Sequence, residues 1–308
     1  MNSKQQSPLK KLLGIRGMGA ALTAFVGLII IYIAFGIINP AVFSGQNVLN
    51  LLRSMSKYLL IGIAQSYVLI TGNIDLSIGS MVGMSAMIAA TLMTTGMAPI
   101  LAIVIALLAC LVVGVVNGNR NTDAIATGVG KETADTFQNI FYYGKTLGFY
   151  NTFWIALGIF VIFFFILSKT RTGRHIYAIG SNVDAAKLSG VNVVSTTVKT
   201  YLVSSVCSCV VGLILCAQAG MGNMEAGNMY EMYGVAAGVI GGVSPLGGTG
   251  ILLGTFAGAA VWQTLENGLN MIGAQVGIQR VVIGVIVVAA VLLDVVVRNG
   301  QFGKHRKK

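Results

Sequence analysis

Side chains that can carry out chemistry are sparse in this sequence of 308 residues. It holds 9 acidic residues and 2 histidines, and Asp75 is the only acid before residue 123. No histidine lies near an acid in an apolar run, and neither a Walker A pattern nor a nucleophile elbow occurs. The thiols all lie in apolar runs and are expected to be small buried side chains: Cys110, Cys207, Cys209 and Cys216. The sequence therefore predicts no enzyme activity of its own, no cofactor and no metal site.

Asp75 lies in TGNIDLSIGS, residues 71–80, at a break between two apolar runs. A carboxylate at membrane depth is costly, and it is therefore a candidate functional group. One interpretation places Asn73, Asp75 and Ser77 beside a path through the protein. The other interpretation is structural: Asp75 or Ser77 accepts amide hydrogens at the start of the following helix. The sequence favours the second and leaves the first open.

The composition predicts an integral membrane protein. Hydrophobic residues make up 55% of the chain and charged residues 9%, against about 25% charged residues in soluble domains. The net charge of +11 comes largely from basic residues in 4–16, 169–187 and 298–308. A membrane protein carries such residues on its cytoplasmic side, so we expect both termini in the cytoplasm and no nucleic-acid partner.

The apolar segments predict an all-α polytopic membrane protein with about nine membrane segments, some of them broken or half-length. The predicted spans are residues 20–38, 58–70, 76–93, 100–116, 149–167, 201–219, 234–243, 251–265 and 281–297. Residues 46–57 are expected to lie in the outer interface. Residues 117–145 conflict with this topology, because the fourth span should end inside whereas the fifth must start outside. This polar stretch holds no apolar run long enough to cross the membrane.

Residues 169–193 form the longest basic, water-facing segment between two apolar runs. Its sequence, KTRTGRHIYAIGSNVDAAKLSGVNV, favours a short helix over residues 183–188. Ser181 or Asn182 can cap that helix, and Gly190 can end it. Two interpretations stay open: the helix docks on a partner protein, or the segment is a solvated loop that only fixes the topology.

Residues 221–233, MGNMEAGNMYEMY, are predicted to be a polar segment on the outer side, and they lead into an apolar run of half a bilayer thickness. Glycines at every fourth position leave one face of this half-helix without side chains, and the same spacing recurs in the next span. We expect this pattern to serve close helix packing rather than substrate contact. The glycines are Gly234, Gly238, Gly242, Gly254 and Gly258.

Four stretches resemble the membrane-spanning permease subunits of bacterial ABC importers for ribose, xylose, galactose and similar monosaccharides. They are ITGNIDLSIGS (70–80), TRTGRHIYAIGSNVDAAKLSGV (170–191), YGVAAGVIGGVSPLGGTG (233–250), and NGLNMIG with the later Gln279 and Asp294. The resemblance covers nearly all of residues 1–308 as a single permease domain with a type II ABC importer-like fold. It departs at Asn73, where glycine is usual, and over residues 119–145, which replace the helix that would complete the ten spans of the family.

The resemblance implies a permease in a bacterial plasma membrane that passes a monosaccharide from an extracytoplasmic binding protein into the cytoplasm. Its partners would be two ABC ATPase subunits or one tandem ATPase, the binding protein, membrane lipid, and a second permease copy in a homo- or heterodimer. Residues 169–193 would be the cytoplasmic coupling loop. Its ATPase contact would comprise Arg171, Arg174, Asn182, Asp184, Ala185, Ala186, Leu188 and Gly190.

The binding protein would contact an outer rim of the permease. The alternative is that the same residues only form a belt of aromatic side chains at the membrane interface. This rim comprises Glu225, Tyr230, Glu231 and Tyr233. Two other functions also stay open. A secondary transporter would need buried ionisable residues for ion coupling, and Asp75 is a weak candidate. A membrane scaffold that does not transport would be consistent with the missing helix.

Overall fold

The computed structural model describes residues 18–112 and 126–288, apart from residues 276, 280, 283, 286 and 287. The helices are α1 (Met18–Ile38), α2 (Gly45–Ile70), α3 (Ile78–Thr94), α4 (Pro99–Val112), α5 (Ala126–Val129), α6 (Lys131–Gln138), α7 (Asn151–Lys169), α8 (Arg171–Ser181), α9 (Val183–Leu188), α10 (Val193–Ala219), α11 (Tyr230–Ile240) and α12 (Leu252–Met271). Short 3-10 turns occupy Pro40–Phe43 and Met224–Gly227, and a π turn occupies Asn139–Tyr143. Strands β1 (Lys145–Thr146) and β2 (Phe149–Tyr150) form a small antiparallel hairpin. The predicted all-α architecture is confirmed, with this hairpin as a local addition.

Within the described residues, α1, α7 and α10 are long and apolar enough to cross a membrane. α3 and α4 are apolar but shorter. Large aliphatic side chains on the outer faces of α1 and α7 are exposed, as with Ile30 and Ile162, which suits helices that face lipid. The last predicted span, residues 281–297, lies mostly outside the described residues, as do both basic termini.

α2 forms the centre of the helix bundle. It packs against α7, α10, α11 and α12, and all of its residues from Tyr58 to Ile70 are buried. The predicted interfacial residues 46–57 and the predicted second span, residues 58–70, belong to one continuous helix of 26 residues. The two basic side chains that suggested an interface have partners inside the protein. The guanidinium of Arg53 lies over the rings of Tyr142 and Tyr150, and Lys57 donates a hydrogen bond to the side chain of Gln218 in α10.

α11 is a half-length helix followed by a loop that turns back within the bundle. The helix has 11 residues, which corresponds to about 16 Å of rise. The turn after it is rich in glycine with positive φ, including Gly242 (82°) and Gly247 (85°), a conformation that favours glycine. The loop is tied to the end of α2, because the amide of Gly248 donates to the carbonyl oxygen of Ile70 (2.8 Å).

The glycine spacing brings α11 close to its neighbours. A methyl group on Gly234 would lie 3.0 Å from the carbonyl oxygen of Ile61, and one on Gly238 would lie 3.2 Å from Oγ of Ser66. At Gly242 it would overlap the side chain of Ala20 in α1. On α12, Gly258 abuts the carbonyl oxygen of Ala237 in α11, and Gly254 abuts that of Gly241, the residue that follows α11. Backbones that approach this closely leave no room for a side chain.

Residues 128–150 cover one end of the bundle, which we call the cap end. Gly128 abuts the last carbonyl groups of α3, those of Met93 and Thr94. At the opposite end of α3, Cys110 near the end of α4 points its thiol at the carbonyl oxygen of Met81 (3.8 Å). The chain therefore leaves α4 at one end of the bundle and resumes at the other. The stretch between them, residues 113–125, lies outside the described residues.

The cap end is held to α2 by aromatic rings. The guanidinium carbon of Arg53 lies 4.5 Å from the ring centre of Tyr142 and 4.0 Å from that of Tyr150. Phe137 of α6 is almost fully buried, and the hydroxyl of Tyr143 donates to the carbonyl oxygen of Gln218 in α10 (3.2 Å). The described part of the polar stretch 119–145 is therefore packed into the fold as short helical pieces.

Candidate functional site

The segment between α7 and α10 is built from two short helices at the end of the bundle opposite the cap, which we call the basic end. The side chain of Thr170 caps α8 by accepting from the amide of Gly173 (3.4 Å). The side chain of Asn182 caps α9 by accepting from the amide of Ala185 (2.9 Å). Gly190 then turns the chain toward α10 with a φ of 81°. The predicted helix 183–188 is confirmed, whereas the helix that precedes it was not predicted.

α9 presents most of its surface to the outside. Leu188 is 91% exposed, and Ala186 is the buried residue that anchors the helix. Asp184 and Lys187 lie 3.9 Å apart as an exposed ion pair, which contributes little to stability. An exposed leucine at the tip of a short, well-capped helix gains nothing in water, but it can fill an apolar groove on a partner protein.

Two further predicted contact residues, Arg171 and Arg174, lie on α8 rather than in a loop, and both side chains are exposed. Together with Lys187 they give this surface a positive charge. A partner with acidic groups around an apolar groove would complement it, since charge complementarity sets orientation and speeds encounter. We call the exposed residues of α8 and α9 the docking surface.

The docking surface is connected to the interior through the buried face of α8. The hydroxyl of Tyr177 donates to the carbonyl oxygen of Gly250 in the loop after α11 (2.6 Å). Burial raises the pKa of Tyr177 to about 12, so in the folded protein the hydroxyl keeps its proton above the ordinary tyrosine pKa of about 10. Gly180 lies directly against the carbonyl oxygen of Ile70 at the end of α2. These two contacts join α8 to both α2 and the loop after α11.

Asp75 is held in a compact hydrogen-bond network. Its Oδ1 accepts from the amide (2.9 Å) and the hydroxyl (2.6 Å) of Ser77, and its Oδ2 accepts from the hydroxyl of Ser204 in α10 (2.6 Å). With its amide nitrogen turned toward the carbonyl of Asp75, Gln65 of α2 pairs with both backbone polar groups of that residue at 3.2 Å. Asp75 is buried, and its carboxylate accepts the amide hydrogen at the start of α3. Asn73 instead donates to the hydroxyl of Thr71 (3.1 Å).

A cavity of about 520 Å³ lies near the cap end, between α2, α10, α11 and α12. Its polar wall includes two oppositely charged side chains, each with a neutral partner. Lys57 donates to Oε1 of Gln218 (3.1 Å), and the hydroxyl of Tyr58 donates to Oε2 of Glu266 (2.7 Å). The remaining lining residues are Ala86, Leu215, Cys216, Ala219, Met221, Asn223, Ala226, Asn228, Tyr230 and Tyr233.

The predicted outer rim is divided by the fold. Tyr230 and Tyr233 face the cavity, where Tyr230 is buried and stacks with Tyr58 at a centroid distance of 6.1 Å. Glu231 is half-buried beside α3, at Gly79. Glu225 alone of the four has an exposed side chain. The sequence identified these aromatic residues as candidates but did not reveal the cavity. The charged side chains of its wall, Lys57 and Glu266, are 209 residues apart in the chain, and each looked like a polar residue at the end of a membrane span.

A family model described as "Branched-chain amino acid transport system / permease component" matches residues 121–291 of this chain, more than half of its length. The chain belongs to this permease family. Ribose import permease protein RbsC of Bacillus subtilis (strain 168) is 34% identical, over 96% of this chain and 98% of the relative. RbsC of Haemophilus influenzae (strain ATCC 51907 / DSM 11121 / KW20 / Rd) is 32% identical, over 88% and 92%. The galactose/methyl galactoside import permease protein MglC of Escherichia coli (strain K12) is 31% identical, over 83% and 88%. No solved structure matches the chain.

Membership of the permease family agrees with the apolar helices α1, α7 and α10, and the protein is embedded in a membrane. As a permease component, it works within a transport system that has other components. The alignment with the Bacillus subtilis relative extends over 320 positions, although this chain has 308 residues. This chain therefore lacks some residues that its relative has.

Proposed function

We propose that this protein is the membrane-spanning permease subunit of an ATP-driven importer that passes a ribose-like monosaccharide into the cytoplasm. The observation that carries the proposal is the match to a ribose import permease along 96% of this chain and 98% of the relative. A similarity over both full lengths supports the same role in the membrane rather than one shared segment. The composition, the half-helix α11 and the packed glycines are consistent with it.

In this proposal the docking surface faces the cytoplasm and binds an ATPase subunit. Leu188 inserts into an apolar groove of the ATPase, and Arg174 pairs with an acidic residue beside that groove. Both chain termini lie on the same cytoplasmic side, in keeping with the basic tail and N-terminus. The cap end then faces outward, where Glu225 is exposed to a sugar-binding protein.

ATP-driven movement would reach the membrane through α8. The bond from Tyr177 to Gly250 and the contact of Gly180 with Ile70 join this helix to the loop after α11 and to α2. A shift of the docked α9 would therefore tilt α11 relative to α2. A monosaccharide is neutral, so its path needs hydrogen-bonding groups rather than a fixed charge. A second permease copy, identical or related, would complete that path.

Co-purification tests the proposal most directly. The tagged chain is isolated from membranes together with its candidate ATPase, and sugar uptake is measured in vesicles that also contain the binding protein. We expect a stable complex and uptake of ribose with the unaltered chain. Arg174→Glu should abolish the complex, whereas Lys131→Glu should preserve it, because that reversal places the same charge change at the cap end. Loss of the complex in both variants would contradict the docking surface.

A second candidate function is a membrane scaffold that binds the same partners without transporting. It is favoured by the alignment with the Bacillus subtilis relative, whose 320 positions exceed the 308 residues of this chain. The vesicle assay separates the two functions. A stable ATPase complex without sugar uptake would support the scaffold, and uptake would exclude it.

A further inference from the structure

The cavity near the cap end has the chemistry of a binding site for one small neutral polyol. We propose that it binds a single monosaccharide within one permease chain, an inference that rests on the proposed function. Its volume of about 520 Å³ falls within the usual range of small-molecule pockets, roughly 300–1,000 Å³. Exposed lining residues, among them Met221 and Asn228, connect it to the surface at the cap end.

The charges of the cavity wall balance each other. Lys57 and Glu266 carry opposite charges and line the same cavity. Each is also hydrogen-bonded to a neutral side chain, Gln218 or Tyr58. A phosphorylated sugar would add a negative charge that a single lysine, already facing a glutamate, does not compensate. A neutral ligand can occupy the cavity without this imbalance.

The remaining groups suit hydroxyl ligands. A sugar hydroxyl both donates and accepts hydrogen bonds, and the wall offers amide groups that also do both. These are the side chains of Gln218, Asn223 and Asn228. Ammonium and carboxylate groups at the same wall provide the stronger charge-assisted bonds that fix the orientation of a ligand.

Aromatic rings form the apolar part of the wall. Tyr58, Tyr230 and Tyr233 line the cavity and contact one another at centroid distances of 5.6–6.1 Å. Trp262 lies behind them, 5.0 Å from the ring of Tyr233. Rings held in this way present rigid apolar surface beside polar groups. The C–H face of a pyranose or furanose ring can pack on such a surface while its hydroxyls reach the amides.

A tryptophan reporter makes the inference testable in the full-length chain. The protein has 2 tryptophans, so Trp154→Phe leaves Trp262 as the single emitter, directly behind the cavity wall. This variant, in lipid nanodiscs, is titrated with ribose while the fluorescence of Trp262 is followed. Saturation-transfer NMR on ribose gives a second measurement that does not depend on the reporter.

We expect a saturable fluorescence change and saturation transfer to ribose. Glu266→Gln should weaken the apparent affinity roughly tenfold, the effect of losing about 1.4 kcal/mol of binding energy. Tyr58→Phe keeps the ring and removes the bond to Glu266, so it should show a smaller loss even if Glu266→Gln folds poorly. Glu132→Gln, an exposed acid of α6, is the matched control and should bind as before.

Three results would overturn the inference. The first is no binding by either method in a protein that still takes up ribose with its ATPase and binding protein, which would leave the proposed function intact. The second is binding that Glu266→Gln and Tyr58→Phe leave unchanged. The third is a stronger saturable response to leucine than to ribose, since a zwitterion could use both charges. Absence of both binding and uptake would overturn the proposed function as well.

Discussion

The hydroxyl of Ser204 donates a hydrogen bond of 2.6 Å to Oδ2 of Asp75, a residue 129 positions earlier in the chain. Both side chains are buried. The bond joins the break between α2 and α3 to the middle of α10, so the acid that is costly in a membrane is compensated by donors from two segments. The bond therefore links segments that are far apart in the sequence.

Removal of the Asp75 carboxylate should therefore destabilise the fold. Asp75→Ala leaves the amide of Ser77 and two hydroxyls without their acceptor, and we expect a loss of roughly 2–3 kcal/mol in the free energy of unfolding. Ser204→Ala removes one bond and should cost less, about 1–2 kcal/mol. Unfolding in detergent measures both. Ser168→Ala, an exposed hydroxyl of α7, is the control and should stay within about 0.5 kcal/mol of wild type.

Glycine at position 258 should be indispensable to the packing of α12 on α11. A methyl group there would overlap the carbonyl oxygen of Ala237, so we expect Gly258→Ala to lower the free energy of unfolding by about 1–3 kcal/mol. Gly158→Ala in α7 is the matched control, because nothing lies within 4 Å of its added methyl group. That variant should be neutral or stabilising, and equal losses in both variants would contradict the packing explanation.

The cap should loosen when Arg53 is replaced. Its guanidinium lies over the rings of Tyr142 and Tyr150, and each cation–π contact contributes about 0.5–2 kcal/mol. In Arg53→Met we expect faster hydrogen–deuterium exchange over residues 139–150 and unchanged exchange in α8. Arg53→Lys keeps the charge but not the planar group, so its exchange should be intermediate. Unchanged exchange in Arg53→Met would show that other contacts hold the cap.

Leu188 should matter for partner binding and not for folding. Its side chain is 91% exposed, so Leu188→Ala should change the free energy of unfolding by less than about 0.5 kcal/mol. If the docking surface binds the ATPase, the same variant should reduce both the amount of co-purified ATPase and the rate of ATP hydrolysis by the complex. Leu147→Ala at the cap end, where the leucine is 82% exposed, is the control and should change neither the amount of co-purified ATPase nor the rate of ATP hydrolysis.

The bond from Tyr177 to Gly250 should give a pH-dependent contribution to stability. Burial raises the pKa of Tyr177 to about 12, above the ordinary value of about 10. The folded state therefore retains the proton longer than the unfolded state does. The contribution is complete below pH 10 and is lost as the pH rises from 10 to 12.

A comparison of two proteins isolates this contribution. Tyr177→Phe should lose about 1 kcal/mol at neutral pH, where the hydroxyl donates its bond. The difference in the free energy of unfolding between wild type and this variant should shrink between pH 10 and 12. A difference that stays constant across this range would contradict a raised pKa of the Tyr177 hydroxyl in the folded state.

The sequence by itself determined the class of the protein, the short helix at 183–188 and the half-length α11. These follow from local properties, because apolar length, the Asn182 cap and the turn at Gly190 act within a few residues of one another. The amide-accepting role of Asp75 was likewise visible, since an acid just before an apolar run is a typical helix start.

Only the tertiary structure decided where the charged residues of α2 and α12 lie. The sequence does not reveal that Tyr150 lies beside Arg53 or that Gln218 lies beside Lys57. The cavity has the same origin: Lys57 and Glu266 become neighbours only when α2 packs against α12. Contacts between distant segments depend on the packing of the whole bundle, and no local pattern encodes them.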